Sequence, residues 1–398
     1  HPDFEKHLNQ YNVIHLNMRD YLTESENIKQ LIQFVEDDLL DELQQEFSDL
    51  RMPRRKTLVK VLEQAFVQYK IPFVFIIDEW DCIFRVHKSD AVSQKDYLDF
   101  LRNLLKDKSY IALAYMTGIL PIKKYGEHSA LNMFIEYSMT DATPIEEFTG
   151  FTEQEVKQLC EKYNMSFAET KKWYDGYCVD GVSIYNPKSV VEAMVRRKFS
   201  NYWTQTETYE ALKTYIHSNE FGVQDAILKL LAGETVKIDT TTFTNDMVTF
   251  ATRDDVLTLL VHLGYLTYNS GTKEISIPNY EISEQFISTI KVLGWNEVVN
   301  SLKISDELLQ ATLKCNAEKV AKLIEQAHQE NTSILKYNDE NSLSCVVSLA
   351  YYSARKYYTI HRELPAGKGF ADIVFEPNRN CNMPAMIVEL KWGHSADE

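Results

Sequence analysis

The chain has 398 residues, 44% hydrophobic and 12% aromatic, with 42 Lys and Arg against 58 Asp and Glu for a formal net charge of −16. Such a length exceeds one hydrophobic core and predicts two or three domains, while the charge argues against nonspecific binding to a polyanion. Only 13 Gly and 10 Pro, with no low-complexity run, argue against long disordered linkers. Six cysteines, at 82, 160, 178, 315, 345 and 381, form no C-x-x-C pair. That fits neither a zinc site nor a secreted disulfide framework and predicts a reducing cytoplasm. No stretch reaches the roughly 18 to 20 uncharged apolar residues of a membrane helix, and no signal peptide is visible. The chain opens on HPDFEKHLNQ and stops just after ELKW, so the expectation is a fragment cut at both ends.

In chain order, NVIHLN at 12–17 predicts a short strand, followed by helical patterns to about residue 69. Among these, EDDLLDELQQEFSD at 36–49 reads as an amphipathic helix with a charged outer face. The run FVFII within 71–81 predicts a strand buried on both faces, as in a parallel sheet. A helix over about Tyr97 to Lys106 and a second apolar run, YIALAYMTG at 110–118, continue an alternation that indicates an α/β layered domain. From about 150 the pattern turns helical, with Thr152 and Glu155 spaced as a capping box. WYDGYCVDGVSIYNPKSVVEAM supplies a Gly-containing loop and a new helix. RDDVLTLLVHLGYLTYNSGTKEISIPN then reads as a helix running into a hairpin turned at Ser270-Gly271, the outline of a winged-helix module. Residues 304–328 predict a helix or helical pair. The helix SLSCVVSLAYYSARKYY and the strands TIHREL, FADIVFE and AMIVELKW close the chain. Arg54 to Lys60, Lys171 with Lys172, and Arg196 to Lys198 are local basic patches, for each of which a solvated helix face is the plainer explanation.

Two constellations carry chemistry. In FVFIIDEWD a buried strand ends in Asp78 and Glu79, the pattern of a metal-binding acid followed by a water-orienting acid in P-loop ATPases. Thr117, at the end of the next apolar run, suits a polar sensor beside a γ-phosphate. Acids that merely cap a strand at the solvent edge are the competing reading. A G-x-x-x-x-G-K-[ST] loop is absent from the 398 residues, and RMPRRKTL at 51–58 has no glycine with which to cradle phosphates. The expectation is therefore a phosphate loop and its strand upstream of His1, the alternative an ATPase-like fold that never bound nucleotide.

Near the C-terminus, GKGFADIVFEPNRNCNMPAMIVELKW places Asp372 on one apolar strand and Glu389 and Lys391 two apart on the next. Alternation along a strand points Glu389 and Lys391 the same way, and the PNRNCNMP turn folds Asp372 back beside them. Two carboxylates suit Mg²⁺, and the lysine suits the positioning of an attacking water in a phosphodiesterase. An amphipathic hairpin with a solvated E-x-K pair remains the plain alternative.

Taken in order, FVFIIDEWD, YMTGILPIKKYGEHSALNMFIEYSM, FTGFTEQEV, WYDGYCVDGVSIYNPKSVV, LVHLGYLTYN, GKGFADIV and IVELKW resemble the bacterial AAA-ATPase-like proteins fused to a PD-(D/E)XK nuclease-superfamily domain, over nearly the whole chain. The resemblance implies an α/β fold in three parts. These are a P-loop ATPase-like parallel-sheet domain over 1–150 lacking its N-terminal part, a helical and winged-helix-like middle over 151–285, and an incomplete restriction-nuclease-like α/β domain over 286–398. It implies Mg²⁺ and ATP as cofactors. Asp78 and Glu79 match the second nucleotide motif, Thr117 the sensor, and Asp372, Glu389 and Lys391 the nuclease triad. Glu340 is similar to a helix acid that some of these nucleases add to the metal site, although an acid favoured by the helix dipole explains it equally. Lys123 and Lys124 are candidates for approaching phosphates, a solvated loop being the plainer reading.

The functional expectation is a cytoplasmic ATPase that governs Mg²⁺-dependent cleavage of nucleic acid, DNA ahead of RNA, with no membrane partner and room for a homo-oligomer. The alternative is a nucleotide-switch signalling or defence protein whose nuclease-like domain binds nucleic acid or a partner without cleaving. Trp173, Tyr174, Tyr177 and Tyr185 read as packing around a tight turn ahead of a base-stacking platform, and His262 as a partly buried helix residue.

Overall fold

The computed structural model describes residues 3–87, 90–119, 131–179, 181–203, 222–243, 250–293, 295–331, 340–366, 369–378 and 381–391. Lys123 and Lys124 lie outside the described residues. The chain divides into two compact units, His1–Ser138 with Thr242–Ala251, and Met139–Thr241 with Thr252–Glu398.

In the first unit three strands, β1 (Asn12–Asn17), β2 (Phe73–Asp78) and β3 (Ile111–Met116), lie parallel in the order β1-β2-β3. Parallel neighbours need long crossovers, and here the helices Ile28–Glu46, Leu58–Tyr69 and Ala91–Leu105 occupy them. Two of these helices start on side-chain caps. Asn27 accepts from the Gln30 N–H and Asp90 from the Ser93 N–H, each satisfying a donor the helix leaves unbonded. Alternate residues Phe73, Phe75 and Ile77 are buried, and Leu31, Val35, Val61, Leu62, Tyr97 and Leu101 belong to the same core. Burial of one such side chain stabilises by about 1.5–3 kcal/mol.

The other face of this sheet departs from expectation. FVFII is buried on one face only, because Val74 and Ile76 are half-exposed, and their cross-strand neighbours Val13, Leu113 and Tyr115 are 61%, 55% and 50% exposed. A near-continuous apolar run does not by itself tell one covered face from two.

Among the described residues, the second unit holds three small antiparallel sheets. In the first, β4 (Phe151–Thr152), β5 (Tyr177–Val179) and β6 (Val182–Tyr185) run in the order β4-β6-β5. The expected capping box opens the helix Glu153–Tyr163, with Thr152 and Glu155 bonding each other's backbone N–H. YNP is a second cap: Asn186 accepts from the Ser189 N–H, and Pro187 fills the first turn of the helix Pro187–Arg196, where no N–H is needed.

Gly176 of WYDGY links the helix Phe167–Tyr174 to β5 at φ +103°, and a Cβ there would lie 1.8 Å from the Pro278 carbonyl oxygen. Tyr174, Tyr177 and Tyr185 are buried, and the Tyr177 hydroxyl donates to the Gly264 carbonyl at 2.7 Å. Trp173 stands edge-on to Tyr280, with ring centroids 4.7 Å apart. These aromatics are packing.

The helix Arg253–His262 leads into the hairpin of β8 (Thr267–Asn269) and β9 (Glu274–Ser276), which β7 (Val236–Lys237) extends in the order β7-β9-β8. The left-handed residue of its turn is Lys273, at φ 58°, while the Asn269 side chain accepts from the Gly271 and Thr272 N–H groups. The helices Tyr280–Leu293, Asn296–Leu313, Ala317–Asn331 and Glu340–Ala350 follow. The last sheet, β10 (Tyr358–Ala366), β11 (Gly369–Pro377) and β12 (Met386–Val388), is antiparallel in that order. Its buried side carries Ala371, Ile373 and Phe375 of β11, with Tyr351 and Tyr358 edge-on to the Phe375 ring.

Candidate functional site

The carboxyl ends of β2 and β3 bring the first constellation together. Parallel register sets Ile77 beside Met116, so Asp78 and Thr117 leave their strands as neighbours. The Thr117 N–H donates to the Ile77 carbonyl at 2.9 Å and the Trp80 N–H to the Thr117 carbonyl at 3.1 Å, tying the two strand ends. The Thr117 hydroxyl donates to Asp78 Oδ1, and the Glu79 N–H donates to the same oxygen at 2.9 Å. Both bonds fall on one carboxylate oxygen, while the Asp78 residue as a whole is exposed.

Glu79 sits at φ 54°, a left-handed conformation costly to a residue with a side chain, and its carboxylate is paired with the Arg85 guanidinium. Arg85 also approaches Asp81 at 3.3 Å. Asp81, fully buried, accepts the Ile119 N–H at 3.2 Å. Gly118 lies against this cluster, and a Cβ there would come within 2.7 Å of Asp81 Oδ1 and 2.8 Å of the Trp80 ring. From the helix Ala91–Leu105 the buried Tyr97 hydroxyl donates to the Trp80 carbonyl at 3.0 Å. Burial pushes the neighbouring Cys82 thiol up to about 12, so it stays protonated and is no nucleophile at neutral pH. Sequence reasoning reached Asp78, Glu79 and Thr117 and missed Asp81, Arg85, Tyr97 and Gly118. The third acid of DEWD and the glycine after Thr117 were the available signals.

The C-terminal constellation is less regular than expected. β12 stops at Val388, so Glu389 and Lys391 lie beyond the strand and are exposed. The ladder ends there as Asp372 Oδ2 accepts the Leu390 N–H at 2.5 Å, replacing the next backbone pairing with a side-chain bond. Ile373 pairs with Val388, so one further step of the antiparallel register sets Glu389 opposite Asp372. Asp372 is half-buried, on the sheet face opposite Ile373 and Phe375. The Tyr358 hydroxyl donates to the Pro384 carbonyl at 3.0 Å, anchoring the approach to β12. Glu340 is the first residue of the helix Glu340–Ala350, and its side chain lies outside the described residues. Among the described residues, no group of three or more His, Cys, Asp or Glu side chains is placed to hold a metal ion.

Each basic patch has one cation matched by a nearby acid. Lys171 pairs with Glu153 at 2.8 Å, Arg196 with Glu192 at 2.6 Å and Lys60 with Glu63 at 2.7 Å. Lys172 is different: its ammonium lies 5.3 Å from the centre of the Tyr280 ring.

Comparison with known proteins bears on the N-terminal part. The AAA-ATPase-like family, described as "Predicted AAA-ATPase", matches residues 1–126, so this segment is similar to an AAA-ATPase-like domain. That match does not reach β10, β11 or β12. A stretch of 155 residues is 27% identical to the "Uncharacterized protein in vnfD 5'region" of Azotobacter chroococcum mcd 1, covering 37% of this chain and 30% of that protein. The match thus spans less than a third of that relative's length. Among the described residues no helix is long and apolar enough to cross a membrane.

Proposed function

We propose that residues 1–126 act as an ATP-hydrolysing module and that the β10-β11-β12 sheet is the core of a Mg²⁺-dependent, nuclease-like domain governed by it. The observation that carries the first half is the Thr117 hydroxyl donated to the Asp78 carboxylate where two parallel strands end, since open α/β sheets bind ligands beyond those ends. Asp78 suits Mg²⁺ because its two hydrogen bonds share one oxygen, leaving the other as a hard donor. When bound, Mg²⁺ neutralises phosphate charge. Thr117 fixes the Asp78 carboxylate, and Glu79 orients the attacking water after releasing Arg85. The residues present thus fit the metal and water side of ATP chemistry, whereas the glycine-rich phosphate cradle does not occur in the 398 residues.

In the C-terminal unit, Asp372 and Glu389 would hold the metal with Glu340 as a third acid, and Lys391 would position water for attack on a phosphodiester. One observation favours a second reading, a domain that binds nucleic acid or a protein partner without cleaving it: β12 ends at Val388, so strand alternation does not hold Glu389 and Lys391 on one face.

The experiment offers labelled DNA and RNA with Mg²⁺ and ATP to the full chain and to the Asp78→Asn and Lys391→Ala variants. The expected result is loss of ATP hydrolysis in the first variant and at least about a hundredfold loss of cleavage in the second, with its ATP hydrolysis kept. ATP hydrolysis unchanged by Asp78→Asn sinks the ATPase assignment, and cleavage unchanged by Lys391→Ala sinks the nuclease assignment. Binding without cleavage by the unaltered chain selects the second reading.

A further inference from the structure

Inside the second unit, a pocket of about 290 Å³ opens between the helix Phe167–Tyr174, the Gly233–Glu234 turn, the segment between β9 and the helix Tyr280–Leu293, and the start of β10. Its wall carries two cations, Lys172 and Arg355, and the amide of Asn279. Among the described residues neither cation is ion-paired with a carboxylate. The acid at the rim, Glu234, is taken by Arg362 at 2.6 Å.

Arg355 donates to the Leu231 carbonyl at 3.2 Å and stacks over the Tyr352 ring at 5.7 Å, while its Nε is buried and makes no hydrogen bond among the described residues. Its guanidinium lies against Gly233, where a Cβ would come within 3.0 Å. Asn279 is buried. Its Oδ1 caps the helix Tyr280–Leu293 by accepting the Ile282 N–H at 3.0 Å, which fixes the amide orientation and leaves the buried Nδ2 donor with no partner among the described residues. Tyr280, next to Asn279, has the Lys172 ammonium over its ring at 5.3 Å.

An interior cation without a counter-charge and a buried donor without an acceptor are both costly. One ligand relieves both. We propose that this pocket binds a phosphate-bearing small molecule, its phosphate held by Arg355, Lys172 and the Asn279 amide. The donor set fits a tetrahedral oxyanion: a planar fork, a point charge and an amide supply three separate directions to a group with several acceptor oxygens. The volume exceeds what a bare oxyanion needs, and the apolar wall at Leu230 and Tyr280 suits an organic body attached to it. This site is distinct from the Asp78 centre and does not rest on the ATPase reading.

The test is calorimetric titration of the full chain with inorganic phosphate, pyrophosphate and AMP at fixed ionic strength. Asn279→Asp keeps an oxygen for the helix cap but replaces the donor with a negative charge, so it separates loss of binding from loss of fold. The expected result is binding to the unaltered chain, weakened by at least about tenfold in Asn279→Asp and in Lys172→Met, and unchanged in Asp78→Asn. The ligand-free thermal midpoint of Asn279→Asp should not fall, because the new carboxylate supplies the counter-charge. No binding at millimolar concentration, affinity unaltered in both pocket variants, loss of binding in Asp78→Asn alone, or succinate binding as tightly as phosphate would each overturn the proposal.

Discussion

Replacing Gly176 with alanine tests why the WYDGY segment has the form it does. The glycine sits at φ +103°, and an added Cβ would meet only backbone: 1.8 Å from the Pro278 oxygen, 2.6 Å from its carbonyl carbon and 3.0 Å from its Cα. No rotamer change relieves a clash with main chain, so the two segments must separate by about an ångström or more. Forcing an L-residue into positive φ costs about 1–2 kcal/mol. Overpacking a tight contact costs about 1–3 kcal/mol. The expected loss is therefore about 2–5 kcal/mol, concentrated where the Phe167–Tyr174 helix meets the segment before Tyr280. Because the chain has two compact units, one global transition is not assumed. Hydrogen exchange on peptides covering 167–185 and 274–290 reads the unit directly, alongside urea unfolding. A loss below about 0.5 kcal/mol, the size of an ordinary surface substitution, would refute the reasoning.

Further expectations follow from single contacts. Tyr97→Phe removes the buried bond to the Trp80 carbonyl and should destabilise the first unit by about 1–3 kcal/mol in urea unfolding, since the acceptor is left unsatisfied. Thr152→Ala breaks the capping box and should cost about 0.5–2 kcal/mol, read from the thermal midpoint. Burial lowers the His262 imidazole from 6.5 to about 4. As pH falls below 6.5 the unfolded chain takes up a proton that the folded ring refuses until about 4, so stability falls through that window, by up to about 3–4 kcal/mol. A His262→Gln variant should lose that part of the acid slope in unfolding free energy measured against pH, and an identical slope would count against it.

What was legible in the sequence is what short-range physics writes there. The strand at Asn12–Asn17, the capping box of Thr152 and Glu155, and the Asn-Pro start of the helix Pro187–Arg196 depend on dihedral preference and hydrogen bonds within a few residues. Asp78 and Thr117 were legible as strand-end residues, and parallel register then brought their side chains into contact.

Other features answer to partners far along the chain. Whether FVFII is covered on one face or two depends on where three helices pack, and the end of β12 depends on an Asp372 oxygen capturing the Leu390 N–H. Lys172, Asn279 and Arg355 show no common pattern in sequence, and only the packing of separate elements places them around one pocket. Local propensity sets the elements, while long-range burial of apolar surface decides which faces meet, and it is that meeting which leaves charge and hydrogen-bond donors gathered where a ligand can answer them.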